Sequence, residues 1–222
     1  MAGSANSERR EESGRQGSDW LDRVYAASTF VLLNMLWLFC SLFIITMPAA
    51  TAALFASVAP WGRGQSPSEP LVNFFAAMRK YGLRATAVVL LNLIIGSFVT
   101  LTLLILRQMG MGQLLPVLAL LATTFVTMLL LLGNIYLWPL LVTVDPPLPD
   151  LLRNALKLAV LHPFWGLLVA GTAILPFLVS FFLPQLFFVT VTFAASALIV
   201  YAGAWRVLRR YLDENRIQYP GV

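Results

Sequence analysis

Charge is scarce in this sequence: Asp, Glu, Lys and Arg make up 11% of its 222 residues. Soluble domains run near a quarter charged, because a surface that faces water has to be polar. A water-soluble globule is therefore excluded. The charges that exist are segregated, and none of Asp, Glu, Lys, Arg or His occurs in 24–46, 85–106, 114–144 or 164–204. Cysteine is nearly absent too. Cys40 stands alone in an apolar run, so no intramolecular disulfide can form and nothing points to an oxidising compartment. Histidine is equally rare: His162 is the only one, and no cluster of His and Cys exists to hold a metal. Glycine-rich phosphate loops, His-Glu-x-x-His and Gly-x-Ser-x-Gly are all missing, which leaves no enzyme signature.

What is present is apolar. Hydrophobic residues account for 59% of the chain, and a hydrocarbon core about 30 Å thick needs roughly 20 of them in a row as a helix. The runs predict an all-α integral membrane bundle with about five spans, at 24–46, 85–106, 114–142, 164–182 and 186–204. Residues 1–19 are polar and too poor in apolar side chains to offset their ordering entropy, so they read as a disordered tail. The membrane domain then covers 20–212, with a C-terminal tail at 213–222. The first run is too long for a signal-peptide core and reads as a retained anchor. Pro48 is expected to end or kink it. The small-residue stretch from Ala49 to Ala59 is too short to cross alone, and reads as interfacial or re-entrant.

Two amphipathic pieces interrupt the apolar runs. The first begins at Ser66-Pro67-Ser68-Glu69, a capping-box spacing with proline at the first helical position. Leu71, Phe74, Phe75, Met78 and Tyr81 follow at helical spacing, beside Arg79, Lys80 and Arg84. The second follows the breaker Asp145-Pro146-Pro147. It places Leu148, Leu151, Leu152, Ala155 and Ala159 on one face, with Asp150, Arg153, Asn154 and Lys157 elsewhere, and ends at His162-Pro163. Both are expected to lie at the membrane surface. The element order is then one lone span followed twice by surface helix, span, turn, span, which reads as a parallel internal repeat. Any five-helix protein with two such loops would show the same order.

Five crossings put the termini on opposite sides. Lys and Arg dominate the loops 47–84 and 143–163 and the C-terminal tail, so the expectation is N-terminus out and C-terminus in the cytoplasm of a bacterial plasma membrane. Arg9, Arg10, Arg15 and Arg23 pull the other way. A sixth crossing by the 49–59 stretch would move the N-terminus inside. The net charge of +5 fits lipid-facing flanks, and no motif accompanies it that would point to nucleic acid.

No Asp, Glu, Lys, Arg or His lies at mid-membrane depth, where ion-coupled carriers usually place one. The intramembrane polar residues Asn34, Asn92 and Asn134 are the candidate polar site. They either gather in a pocket or form interhelical hydrogen bonds that hold the bundle together. Arg79, Lys80, Arg84, Arg153, Lys157 and His162 are the candidate surface for a partner or for lipid headgroups. His162 also suits a helix C-terminus.

Asn34-x-x-Trp37 followed by Ile45-Thr46-x-Pro48-Ala49-x-Thr51-Ala52-Ala53-Leu54 resembles the YesL family of small bacterial membrane proteins. Phe74-Phe75 before Arg79-Lys80, Trp138-Pro139, Leu152-x-Asn154-Ala155, His162-Pro163 and Trp205-Arg206 agree with it. The likeness spans roughly Trp20 to Tyr211, and departs from it at Met47, where glycine is expected. It implies a multi-span protein with an accessory role beside carbohydrate ABC import. The leading expectation is thus a non-enzymatic accessory protein that needs no cofactor or metal and contacts membrane lipids and ABC transporter subunits. A small carrier or channel with a polar site between the two repeats is the second. A membrane enzyme built on His162 and Asp145 is the third.

Overall fold

The computed structural model describes residues 20, 24–65, 69–109, 114–182 and 190–214. The described residues are helical apart from turns: α1 (Val24–Ser41), α2 (Met47–Gly62), α3 (Pro70–Met109), α4 (Leu114–Val144), α5 (Leu148–Leu161), α6 (Pro163–Phe182) and α7 (Thr192–Glu214). Four of them, α1, α3, α4 and α6, are long and apolar enough to cross a membrane. Large apolar side chains such as Leu93, Phe98, Leu118, Phe125 and Phe181 face outward from these helices. Outward-facing leucine and phenylalanine suit hydrocarbon as solvent, and the architecture is a helical membrane bundle.

The first expected span ends early. α1 stops at Ser41, and residues 42–46 form a turn that Thr46 closes by donating from Oγ1 to the carbonyls of Cys40 and Phe43. Pro48 does not kink α1; it sits in the first turn of α2, where its missing N–H costs nothing. α2 then carries the small-residue stretch as a complete 16-residue helix, about 24 Å long at 1.5 Å per residue. Pro48, Ala50, Ala52, Ala53, Leu54, Phe55, Ser57, Val58 and Ala59 are all buried. It is the centre of the bundle, packed against α3, α4 and α7.

The first amphipathic piece is not a separate surface helix. It is the opening of α3, which runs unbroken for 40 residues because nothing between Pro70 and Met109 stops a helix. Its face is also more specific than the sequence pattern suggested. Phe74 and Tyr81 are buried against the core, whereas Leu71 and Phe75 are exposed. The second piece, α5, is a separate helix as expected. It lays Leu151, Ala155, Leu158 and Ala159 into the protein interior rather than into headgroups. His162 caps it, its N–H bonded to the Leu158 carbonyl at 2.9 Å, and Pro163 opens α6. The repeat expected from element order is thus uneven, fused in its first half and split in its second.

Neighbouring helices alternate in direction. Phe30 of α1 meets Trp61 at the end of α2, with ring centroids 5.5 Å apart, and Trp37 reaches Thr51 near its start. Gly82 of α3 lies by Ala49, and Asn73 and Pro60 share one cavity wall, so α2 and α3 are antiparallel. α3 and α4 pair through Tyr81 with Val142 and Asn92 with Asn134. α6 and α7 pair through Trp165 with Gly203 and Ser180 with Thr192. α1 in turn is antiparallel to α7, since Asn34 touches Ala194 while Phe30 and Leu198 line one cavity. The chain therefore enters α1 at the end where it leaves α7. This differs from the expected opposite termini, and the reason is α2, a helix that hydropathy passes over because it is short.

Tails 1–19 and 215–222, the cap residues 66–68 and the start of the fifth expected span, 186–189, lie outside the described residues. The described part of that span is α7, which stays helical through Asp213 and Glu214, beyond the expected domain edge at 212.

Close approach of helices rests on two glycines. A Cβ on Gly203 would lie 2.5 Å from Val169 Cγ2 of α6, and one on Gly62 would overlap the Tyr201 ring. Gly203→Val is expected to destabilise the bundle by about 1–3 kcal/mol through overpacking. Gly171 has open space around its Cα, so Gly171→Val should leave the thermal midpoint in detergent unchanged. Equal losses in the two variants would refute this packing.

Candidate functional site

The three asparagines do not gather. Asn92 of α3 and Asn134 of α4 bond to each other reciprocally, Nδ2 to Oδ1, at 2.8 and 3.1 Å, and Asn134 Nδ2 also donates to the Leu130 carbonyl at 2.8 Å. The cavity beside them holds only about 110 Å³ and is otherwise lined by leucine, isoleucine, alanine and glycine. Asn34 is elsewhere and fully buried. Its Oδ1 accepts the Ala194 N–H at 2.8 Å, which satisfies a donor in the first turn of α7. Of the two readings, gathered pocket or interhelical hydrogen bonds, the asparagines follow the second as two separate fasteners, because amides in hydrocarbon pair with the nearest polar group rather than collect.

Lys80 and Arg84, read from the sequence as surface charges, stay about half-exposed, and both pair with Asp145. Arg84 pairs with the Asp145 carboxylate and donates to the Asp145 carbonyl at 3.0 Å, and Lys80 Nζ lies 3.5 Å from the same carboxylate. Lys80 also donates to the Tyr81 hydroxyl at 3.1 Å, which donates in turn to the Val142 carbonyl at 3.2 Å. The Val142 carbonyl is among the last four of α4, which lack intrahelical donors, and the Asp145 carbonyl follows directly after the helix end, where positive charge is favoured. Asp145 has φ +55°, a left-handed conformation that Asp tolerates better than most residues. Lys80 precedes the uncharged run that begins at Ala85. The Tyr81 hydroxyl raises its pKa most, burial opposes the rise, and Asp145 adds to it.

Arg79, Arg153 and Lys157 are exposed. Lys157 stands over the Tyr211 ring at 5.3 Å, and the Tyr211 hydroxyl donates to Asn154 at 3.1 Å. Leu156, Val160 and Leu161 are exposed beside these cations, so the outer face of α5 is both apolar and basic. His162 holds its neighbours through its backbone: its carbonyl accepts from Tyr136 at 3.1 Å and from the Gly166 N–H at 3.0 Å. Its side chain shares a cleft with Arg206, Arg210 and Glu214, while Asp145 is engaged by Lys80 and Arg84. The pairing of His162 with Asp145 that an enzyme reading needs is therefore not made among the described contacts.

Several of the residues that carry the sequence resemblance meet in one clasp. Trp37 Nε1 donates to Thr51 Oγ1 at 3.2 Å while its ring stacks on Phe193 at 4.2 Å, and Asn34 caps α7 one helical turn away. Phe55 stacks on Trp138 at 6.0 Å, and Trp205 stacks on Tyr201 beneath Arg63. Residues 30–103 match the family described as a protein of unknown function, DUF624. The DUF624 match begins within α1, covers all of α2 and ends in α3, so it contains the central helix and the α1 side of the clasp. No curated protein and no solved structure matches the chain.

Sequence reasoning missed Arg63 and Ser57 as site residues, and placed Asp145 only beside His162 in the enzyme reading. Asp145 looked like a helix breaker, and its distance in sequence from Lys80 and Arg84 hid their pairing. Arg84→Ala strips Asp145 of its closest cation and takes the donor from the Asp145 and Pro146 carbonyls. It is expected to lose about 1–2 kcal/mol of stability, between the ranges for exposed and buried pairs. In an Arg84→Ala, Asp145→Ala cycle, the double variant should lose less than the sum of the singles. A second cycle with Asn92→Leu and Asn134→Leu should return a coupling of about 0.6 kcal/mol. Additive losses in either cycle would show that the pair does not act as one.

Proposed function

We propose that this chain is a non-enzymatic accessory protein of a bacterial plasma membrane, and that its basic end faces the cytoplasm and contacts a partner there. The observation that carries the reading is the distribution of cations over alternating helices. Of the 15 Lys and Arg residues, Arg107 alone lies at the far end of α3, in its last turn. The others precede α1 (Arg9, Arg10, Arg15, Arg23), end α2 (Arg63), sit in the opening turns of α3 (Arg79, Lys80, Arg84) or in α5 (Arg153, Lys157), or fall in the last turns of α7 and beyond (Arg206, Arg209, Arg210, Arg216). Positive charge stays on the cytoplasmic side, so both ends of the chain are cytoplasmic in this reading. The resemblance to the YesL family suggests permease or ATPase subunits of a carbohydrate ABC importer as the partner.

The contact surface is the outer face of α5 with Arg79 of α3. Arg153, Leu156, Lys157 and Val160 are exposed there, and a surface that mixes aliphatic side chains with cations suits an acidic, partly apolar protein face. Lys80 and Arg84 are poor contact residues because Asp145 already holds them. The carrier reading is weaker, since Asn92 and Asn134 satisfy each other and the cavity that they share is small and apolar.

The test is affinity purification of the tagged protein from native membrane in mild detergent. Recovery of ABC permease or ATPase subunits above an unrelated membrane control is expected from the wild type. The triple variant Arg79→Glu, Arg153→Glu, Lys157→Glu should lose most of that recovery while keeping its thermal midpoint. Undiminished recovery with the triple variant, or none with the wild type, would count against the proposal.

A further inference from the structure

A second feature of the basic end is a cavity of about 280 Å³ between α2, the opening of α3 and the last turn of α4. Its wall includes Ser57, Arg63, Asn73, Lys80 and Tyr81. Ser57 is 3% exposed, and its hydroxyl has no hydrogen-bond partner. The Ser41 hydroxyl shares this state, but the helical threonines do not. The hydroxyls of Thr51, Thr86, Thr100 and Thr127 each donate to the carbonyl four residues earlier, at 2.8–2.9 Å. Ser57 forgoes that bond on a cavity wall, and a buried hydroxyl without a partner costs about 1–3 kcal/mol. Arg63 Nε is likewise buried without an acceptor, although its guanidinium stands 6.0 Å over the Trp205 ring.

The charge around the cavity is positive. Among the described residues Arg63 has no ion pair, and the Asp145 carboxylate is outweighed by Lys80 and Arg84. Glu69 is exposed and precedes the lining residue Pro70 without an ion pair of its own. Ser57 lies six residues before Arg63 on α2, about 9 Å deeper along the axis. The cavity thus leads from a cation at the membrane surface to an unpartnered donor inside the bundle. Both unmet groups donate, so the complement is an acceptor with several oxygens and a negative charge.

We propose that this cavity binds a phosphate group, held by Arg63 and Lys80 at its mouth and by the Ser57 hydroxyl within. A phosphate has enough acceptor oxygens to meet both orphan donors at once, and charge-assisted bonds to Arg are the strong ones. Basic pockets between membrane helices on the cytoplasmic side take anionic lipid headgroups. The same chemistry also suits a free phosphate.

The experiment measures the thermal midpoint of the full-length protein in detergent against rising concentrations of three probes. These are short-chain phosphatidylglycerol, short-chain phosphatidylcholine and inorganic phosphate. A ligand that binds the folded state raises the midpoint saturably. Phosphatidylglycerol is expected to do so, and phosphatidylcholine to do far less. Arg63→Gln should raise the half-maximal concentration about tenfold, the loss of one charge-assisted hydrogen bond. Ser57→Ala should raise it several-fold while leaving the midpoint without lipid equal or higher, because it removes an unpartnered buried group. Arg209→Gln, exposed on α7 and outside the cavity, should respond as wild type. A saturable rise with inorganic phosphate, equally sensitive to Arg63→Gln and Ser57→Ala, would support the site with free phosphate as its source. The proposal is overturned if neither phosphatidylglycerol nor phosphate gives a saturable rise. It is also overturned if both cavity variants respond as wild type, or if Arg209→Gln weakens the response as much as Arg63→Gln.

Discussion

Helices in lipid gain nothing from hiding leucine, since the tails around them are as apolar as any side chain. They hold together by close van der Waals packing and by the few polar groups that hydrocarbon forces into pairs. In this protein that constraint falls on α2. Its run of alanines lets α3, α4 and α7 approach closely, and past Met47 it exposes no residue. Gly62 admits the Tyr201 ring, Thr51 takes the Trp37 N–H, and Phe55 lies along Trp138. Without α2 the other helices would surround a gap that neither lipid nor water could fill well.

The same helix explains what could be read from the sequence and what could not. The uncharged runs located α3, α4, α6 and most of α1, because a membrane span is written in composition over some twenty residues. His162-Pro163 marked the α5–α6 junction because proline acts locally on backbone geometry. α2 was visible only as an apolar stretch too short to cross. Its alanine content was the available signal, because small residues mark an interface between helices rather than contact with lipid. The expected break before Ala85 came from a change in charge pattern. Charge patterns do not stop helices, and α3 continues through it.

Pairings over long sequence distance were not legible. Asn34, Asn92 and Asn134 share a residue type and a depth range, yet one caps α7 and the other two bond to each other. Lys80 and Arg84 looked like solvated cations because Asp145 lies some sixty positions further on. Only the antiparallel register of α3 and α4 brings them together, and that register is a matter of packing between the two helices. Ser57 was the least legible of all, since a serine among alanines carries no mark of whether its hydroxyl is satisfied.

Orientation follows from connectivity more than from any single charge. With five crossings, the four arginines ahead of Val24 contradict the loops and the C-terminal tail, and the positive-inside rule gives a divided answer. Adding α2 as a returning helix moves those arginines to the side of the other cations, and the conflict disappears. A charge distribution so one-sided is hard to reconcile with an odd number of passes, so the arginines are independent support for α2 as a helix that carries the chain back. The concentration of cations that orients the protein also makes the α2–α3 cavity electropositive. Arg63 belongs to both features because it ends α2, where the chain returns to the surface it started from.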